Sequence, residues 1–340
     1  MRKRWQTWIA VVSLVSPAIL AQTITVNVVV TDKSGQPVSG LQENDFTLLD
    51  NKRPQKLTSF RAVAGPSSDI PIKLILVVDE VNDTFVNVAN ERTYVGKFLQ
   101  ANNGKLALPT SLVFFSDSGA TIGRETTQDG DALFAELNSD KNSLRTIGRA
   151  QGAYGAGDRL QLSMRALQGL IQVEEAQPGR KLVVWISPGW PLLANPLDTL
   201  TERTRQQIYS NVVTLSSHLR EAGITLYNVN PLGAGDTRGV FTYEEYLKGV
   251  NKPNQVQFGN LGLQVLAQQS GGLVLLSSND IAGEIAKCIS DAKAYYVISF
   301  AGAPPDEKNN YHALGVKIDK PGLAARTRTG YYAQEPAQKH

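Results

Sequence analysis

The chain has 340 residues, 42% hydrophobic and 19% charged, a globular balance that excludes a disordered or repetitive chain. Its excess of basic over acidic residues, 34 against 31, is accounted for by Arg2, Lys3 and Arg4 alone. The remainder is neutral overall and gives no warrant for nucleic-acid binding, which calls for a clustered positive face. A single cysteine, Cys288, excludes an intramolecular disulfide, so the fold stands on its core.

The first residues have the layout of a secretory signal peptide: a basic MRKR, an apolar WIAVVSLVSPAIL broken by Pro17, and Ala21 before the polar Gln22. The apolar run falls short of the roughly 20 residues of a membrane span. The expectation is a signal at 1–21, cleaved or else kept as an anchor, a secreted, periplasmic or cell-surface location, and no membrane span after cleavage.

Short strands and turns fill 22–65: TITVNVVV alternates in part, DKSGQP is a turn, and DFTLLD and KLTSFRAV flank DNKRPQ. About 40 residues of β structure are marginal alone, so a partner elsewhere in the chain is required.

From 70 to 294 apolar strands alternate with amphipathic helices. KLILVVD, TSLVFFSD, KLVVWISPG, ITLYNVNP and LVLLSS read as strands. TFVNVANERTYVGKFLQAN, DGDALFAELNSD with Asp129 as cap, DRLQLSMRALQGLIQVEEA and DTLTERTRQQIYSNVVTLSSHLREAG read as helices, the last starting near Asp198 or Thr199 and stopping at Gly223. NLGLQVLAQQSGG and the segment around Cys288 complete the series, with Cys288 a buried, inert thiol. Such alternation predicts an α/β fold: a doubly wound, mostly parallel sheet of Rossmann-like topology, covered by helices on both faces.

Strand signals return in AYYVISFAGA, YHALGVKID and AARTRTGYYA. The segment 295–333 is therefore expected to pair with 22–65 as a small β domain, leaving 334–340 as a tail.

The stretch LILVVDEVNDTF puts Asp79, Glu80, Asn82 and Asp83 at the exit of a buried strand. Ligands of open α/β sheets bind beyond the carboxyl ends of the strands. Clustered oxygens there suit a hard cation such as Mg²⁺, Mn²⁺ or Ca²⁺. An apolar strand ending in aspartate at the head of an alternating α/β region resembles the von Willebrand factor A domain. That family's adhesion site begins Asp-x-Ser-x-Ser, then takes a threonine from a second loop and an aspartate from a third. Here Asp79 matches, Val81 and Asp83 replace the serines, Asp158 of GAYGAGDRLQLSMRAL falls near the threonine, and Ser187 and Pro188 stand where the third-loop aspartate would be. The flanks VVVTDKSGQPVSGLQENDFTLLDNKRPQKLTSF and VKIDKPGLAARTRTGYYA resemble a VWFA-related family of secreted acidobacterial proteins. The resemblance implies an extracytoplasmic protein-binding or adhesion module with a degenerate metal-ion-dependent adhesion site.

Asp79, Asp83 and Asp158, with Asn82 and Ser187 adding oxygens, are the candidate cation ligands. Two other arrangements compete: Asp79 and Asp83 capping the next helix, or Arg159 pairing with them in place of a cation, so that no cofactor is held. Trp190 in SPGWP reads equally as a partner-binding rim residue or as core packed over a loop stiffened by Pro188 and Pro191. GAYGAGD lacks the lysine of a phosphate loop, and its glycines read as letting the backbone approach the crevice. No nucleophile elbow or zinc-protease helix occurs. An enzyme is not expected; a metal-assisted hydrolase would have only Glu80 as base.

Overall fold

The computed structural model describes residues 22–65, 69–123, 125–139, 153–191, 200–232, 243–276, 278–302 and 310–333. The expected signal at 1–21, the tail 334–340, and the helix-start residues Asp198 and Thr199 lie outside them.

In chain order come β1 (Thr23–Thr31), β2 (Phe46–Asp50), β3 (Arg53–Gln55), β4 (Leu57–Ala64), β5 (Ile72–Asp79), α1 (Phe85–Leu99), β6 (Lys105–Ser116), β7 (Gly119–Ile122), β8 (Thr127–Asp129), α2 (Gly130–Ser139) and α3 (Ala153–Glu175). They are followed by β9 (Arg180–Ile186), α4 (Glu202–Glu221), β10 (Ile224–Val229), α5 (Leu263–Gln269), β11 (Val274–Leu275), α6 (Ile281–Ser290), β12 (Ala294–Ala301), β13 (Tyr311–Ile318), β14 (Ala324–Arg326) and β15 (Gly330–Tyr332).

The main sheet runs β11-β10-β9-β5-β6-β7. Its five strands from β11 to β6 are mutually parallel, while β7 and β8 fold back antiparallel onto β6. Successive residues of β5 explain why its sequence is continuously apolar. Ile75 and Val77 join α3, α4 and α5 in one core. Leu74, Leu76 and Val78 join α1, α2 and α6 in another. Burial of both faces removes any polar alternation.

The two chain ends meet in two four-stranded antiparallel sheets, β14-β1-β12-β4 and β15-β13-β2-β3. Val26 lies opposite Ile298 in the first and Leu48 opposite Val316 in the second. Their inner faces share a third core that includes Ile24, Val28, Phe46, Tyr296, Phe300 and Tyr331. β12 faces both ways, since Tyr295 packs into the α/β core and Tyr296 into the β core.

A buried ionic link reinforces that junction. Arg326 of β14 grips both oxygens of Asp291, at 2.7 and 2.6 Å, and Tyr227 of β10 donates to Oδ2 at 2.6 Å. Bidentate arginine–carboxylate geometry fixes orientation as well as charge.

Cap chemistry marks the helix ends. Asp129 accepts from Ala132 N–H at 3.0 Å ahead of α2. α4 is capped by Thr201, whose hydroxyl accepts from Thr204 N–H. Gly223, at φ +66°, turns the chain out of α4. Among the described residues no helix is long and apolar enough to cross a membrane.

Candidate functional site

The sheet begins at its centre with β5, moves outward through β6 and β7, then returns to the other side of β5 through β9, β10 and β11. The order therefore reverses between β5 and β9, where Val78 pairs with Ile186. The crevice beyond those two strand ends is where an open α/β sheet offers a ligand site. Asp79 and Ser187 stand at it.

Asp79 is fully buried, and its carboxylate is already engaged by the protein. Oδ1 accepts from the backbone N–H of Val81 and of Asn82, both at 3.0 Å. Oδ2 accepts from Asn82 Nδ2 at 2.8 Å and from the Trp185 indole at 2.9 Å. The Ser187 hydroxyl lies close enough to favour the ionised carboxylate and accepts from the Gly189 N–H at 3.1 Å. A carboxylate offers about four lone-pair sites, so this one is saturated. Burial pushes its pKa up, and the hydrogen bonds from Asn82 and Trp185, with the Ser187 hydroxyl, oppose that rise.

Asn82 extends the network to α3. Its Nδ2 also donates to Ser163 Oγ at 2.9 Å, and Ser163 Oγ donates to the Arg159 carbonyl at 2.8 Å. The third loop is fixed from β10 and α5: Asn228 donates to the Ser187 carbonyl at 2.9 Å and Gln264 to the Pro188 carbonyl at 3.2 Å. Gly189, at φ +117°, lies so close to Gln264 that a Cβ would sit 2.3 Å from Nε2. Only glycine fits that conformation and that approach.

Asp83 accepts from Thr84 N–H at 2.7 Å and Asn87 Nδ2 at 2.6 Å. Glu80 is buried and paired with Arg92 at 3.0 Å, and Arg92 also donates to the Leu137 carbonyl. Glu91, on the buried face of α1, accepts the Asp79 N–H on Oε1 at 3.1 Å while its buried Oε2 meets no partner. Burial, followed by the negative charge of Asp79, raises the Glu91 pKa well above the ordinary glutamate value.

The sequence-derived candidates separate accordingly. Asp79, Asn82 and Ser187 come together, whereas Asp158 is exposed on α3. Among the described residues no group of three or more His, Cys, Asp or Glu is arranged to hold a metal ion. The donor set of Asp79 does not fit a cation either, because a metal would have to displace the Val81 N–H and the Trp185 indole N–H, both buried and both engaged on the carboxylate.

The helix-capping arrangement takes a different form: Asp79 caps the strand-exit turn through Val81 and Asn82, not the helix. Arg159 makes no ion pair with Asp79 or Asp83 in the described structure; Asn82 bonds Asp79 instead, and among the described residues Arg92 pairs with Glu80 of the cluster. Of the two readings of Trp190, core is the one seen. It is 4% exposed and packs edge-on against Trp185, ring centres 5.2 Å apart. GAYGAGD is not a glycine loop in its described part, since Ala153 to Asp158 form the start of α3.

Trp185, Ser163, Glu91 and Arg92 complete the network and were not singled out from sequence. Two signals pointed to them. Glu91 shares the helical stripe of Val88, Val95 and Leu99, which places an acid on a buried face. Trp185 lies within a fully apolar strand, where its indole N–H needs an acceptor.

No family model matches the chain, and no curated protein matches it. Solved structures similar to it include the human COPII-coat protein Sec24c, with 9% identity, a TM-score of 0.35, and cover of 79% of this chain and 44% of that one. The PilB minor pilin of Streptococcus sanguinis has 13% identity, a TM-score of 0.35, and cover of 67% and 63%. The pilus adhesin SpaC of Lactobacillus rhamnosus GG has 10% identity, a TM-score of 0.37, and cover of 88% and 43%. The chain thus spans less than two thirds of each, and scores this low assign neither fold family nor function.

Proposed function

We propose that this chain is an exported, non-enzymatic protein-binding module with a doubly wound, von Willebrand factor A-like domain, and that it binds without a metal ion. The observation that carries the metal-independent part is the saturation of Asp79 by Val81, Asn82 and Trp185. A carboxylate held this way organises three loops at the strand ends and presents no free lone pair to a cation. The strand order, with β5 central and its reversal at β9, supports the domain type. The protein-binding role rests on the sequence resemblance and on the exposed rim beside this crevice. There Val86, in the first turn of the helix that follows the Asp79 turn, is 66% exposed.

Catalysis has little support from the same geometry. Glu80, the one base named for hydrolysis, is buried against the Arg92 guanidinium.

The test is affinity capture on the immobilised protein, with wild type and Val86→Glu compared in the presence and absence of EDTA. The proposal expects a retained protein that chelation does not release and Val86→Glu does. Release by EDTA would return the cation to the mechanism.

A further inference from the structure

A second site lies at the opposite end of the parallel strands, between α1, α6 and the start of β6. β6 is longer than its neighbour: its pairing with β5 begins only at Leu74–Thr110. Residues Lys105 to Ala107 therefore run on past β5, which starts at Ile72. α1 ends at Leu99, and Asn102 and Asn103, at φ 52° and 56°, swing the chain sharply into that overhang. On the far side α6 brings up Ala282, Gly283 and Ala286, whose small side chains leave the gap unfilled. The result is a cavity of about 440 Å³, within the roughly 300–1,000 Å³ typical of small-ligand pockets.

Its walls are mainly apolar, with Leu74, Phe98, Leu106, Leu108 and Ile289 supplying the bulk. Its charged lining groups are Lys105 and Lys293, both exposed. Neither is in an ion pair or side-chain hydrogen bond among the described residues. Two exposed ammonium groups that make no ion pair, Lys105 with Asp129 opposite it in the β6–β8 ladder, favour a ligand with an apolar body and an anionic head at this apolar cavity.

We propose that this cavity binds a small amphipathic anion of the medium-chain carboxylate class. The apolar tail occupies the space under α6, and the carboxylate lies between Lys105 and Lys293. The site is separate from the Asp79 crevice and does not depend on how that crevice functions.

The experiment is a fluorescence titration of the native protein with 8-anilinonaphthalene-1-sulfonate, an apolar anion, followed by displacement with decanoate or with decanol. Saturable one-site binding is expected, with decanoate displacing the probe about tenfold more tightly than decanol. Ala286→Trp, which fills the cavity from an exposed helix position, should abolish it. Lys105→Glu combined with Lys293→Glu alters exposed groups only and should weaken it by about tenfold, with the circular dichroism spectrum unchanged. Three results would overturn the proposal: no saturable binding to the native protein, equal displacement by decanol, or unchanged affinity in the charge-reversed variant.

Discussion

Trp185 donates its indole N–H to Oδ2 of Asp79 at 2.9 Å, joining the ends of β9 and β5 across 106 residues of chain. Both groups are buried, so neither has water as an alternative partner. The contact makes the Asp79 carboxylate part of the fold's frame, and its removal should register as lost stability.

Asp79→Ala strips the acceptor from two backbone N–H groups, an amide and an indole. Each buried group left without a partner costs about 1–3 kcal/mol, partly relieved by relaxation. A net loss of about 3 kcal/mol is expected, read as a lower urea midpoint at unchanged slope. Asp79→Asn keeps one acceptor oxygen and should lose less.

The two neighbouring tryptophans should respond differently to phenylalanine. Trp185→Phe removes the donor to Asp79 as well as ring volume, whereas the buried Trp190 Nε1 has no partner to lose. The first substitution should cost about 1–2 kcal/mol more than the second. Equilibrium unfolding of the two variants side by side measures the difference.

Glu91 sets a pH dependence whose sign follows from its raised pKa. The folded state holds the proton more tightly than the unfolded chain, so the stabilising contribution is complete below the ordinary glutamate value of 4.5. It is lost as pH rises from there through the raised folded value. Glu91→Gln keeps an acceptor for the Asp79 N–H and cannot ionise. It should match wild type near pH 4 and be more stable than wild type at pH 7 and above, as followed by thermal melts across that range.

Asp291 ties the two halves of the molecule together. Its replacement by alanine takes the shared carboxylate from Arg326 and Tyr227, leaving Arg326 the Gly271 carbonyl as acceptor. Loss of one partner of a buried pair costs about 3–5 kcal/mol; because Arg326 keeps some solvent exposure, about 2–3 kcal/mol is expected. Hydrogen exchange should quicken first in β14 and in β10 near Tyr227.

Parallel strands buried on both faces were legible because LILVV, LVVWI and ITLYNV are mainly apolar runs of strand length without polar alternation. The β6–β7 hairpin was not, since Gly119–Ile122 is short and its partner already read as a complete strand. β11 shrinks to Val274–Leu275 from the longer LVLLSS, because only those two residues find a ladder partner, on β10. At the site, the sequence placed Asp79 at the strand end but could not show how its oxygens are engaged. That depends on Trp185 and on Ser163, which positions Asn82, and both arrive from other strands and helices through the sheet order. Asp158 was read as a loop residue, but α3 starts at Ala153 and carries it as an exposed helical residue beside Arg159.

The most direct test of the structural role assigned to Asp79 is calorimetric titration of the purified protein with Mg²⁺, Mn²⁺ and Ca²⁺, beside Asp79→Ala. The account predicts no saturable heat from wild type with any of the three ions, and a destabilisation of Asp79→Ala that is the same with and without them. Saturable binding to wild type that Asp79→Ala abolishes would show that the carboxylate opens to a cation, and would contradict it.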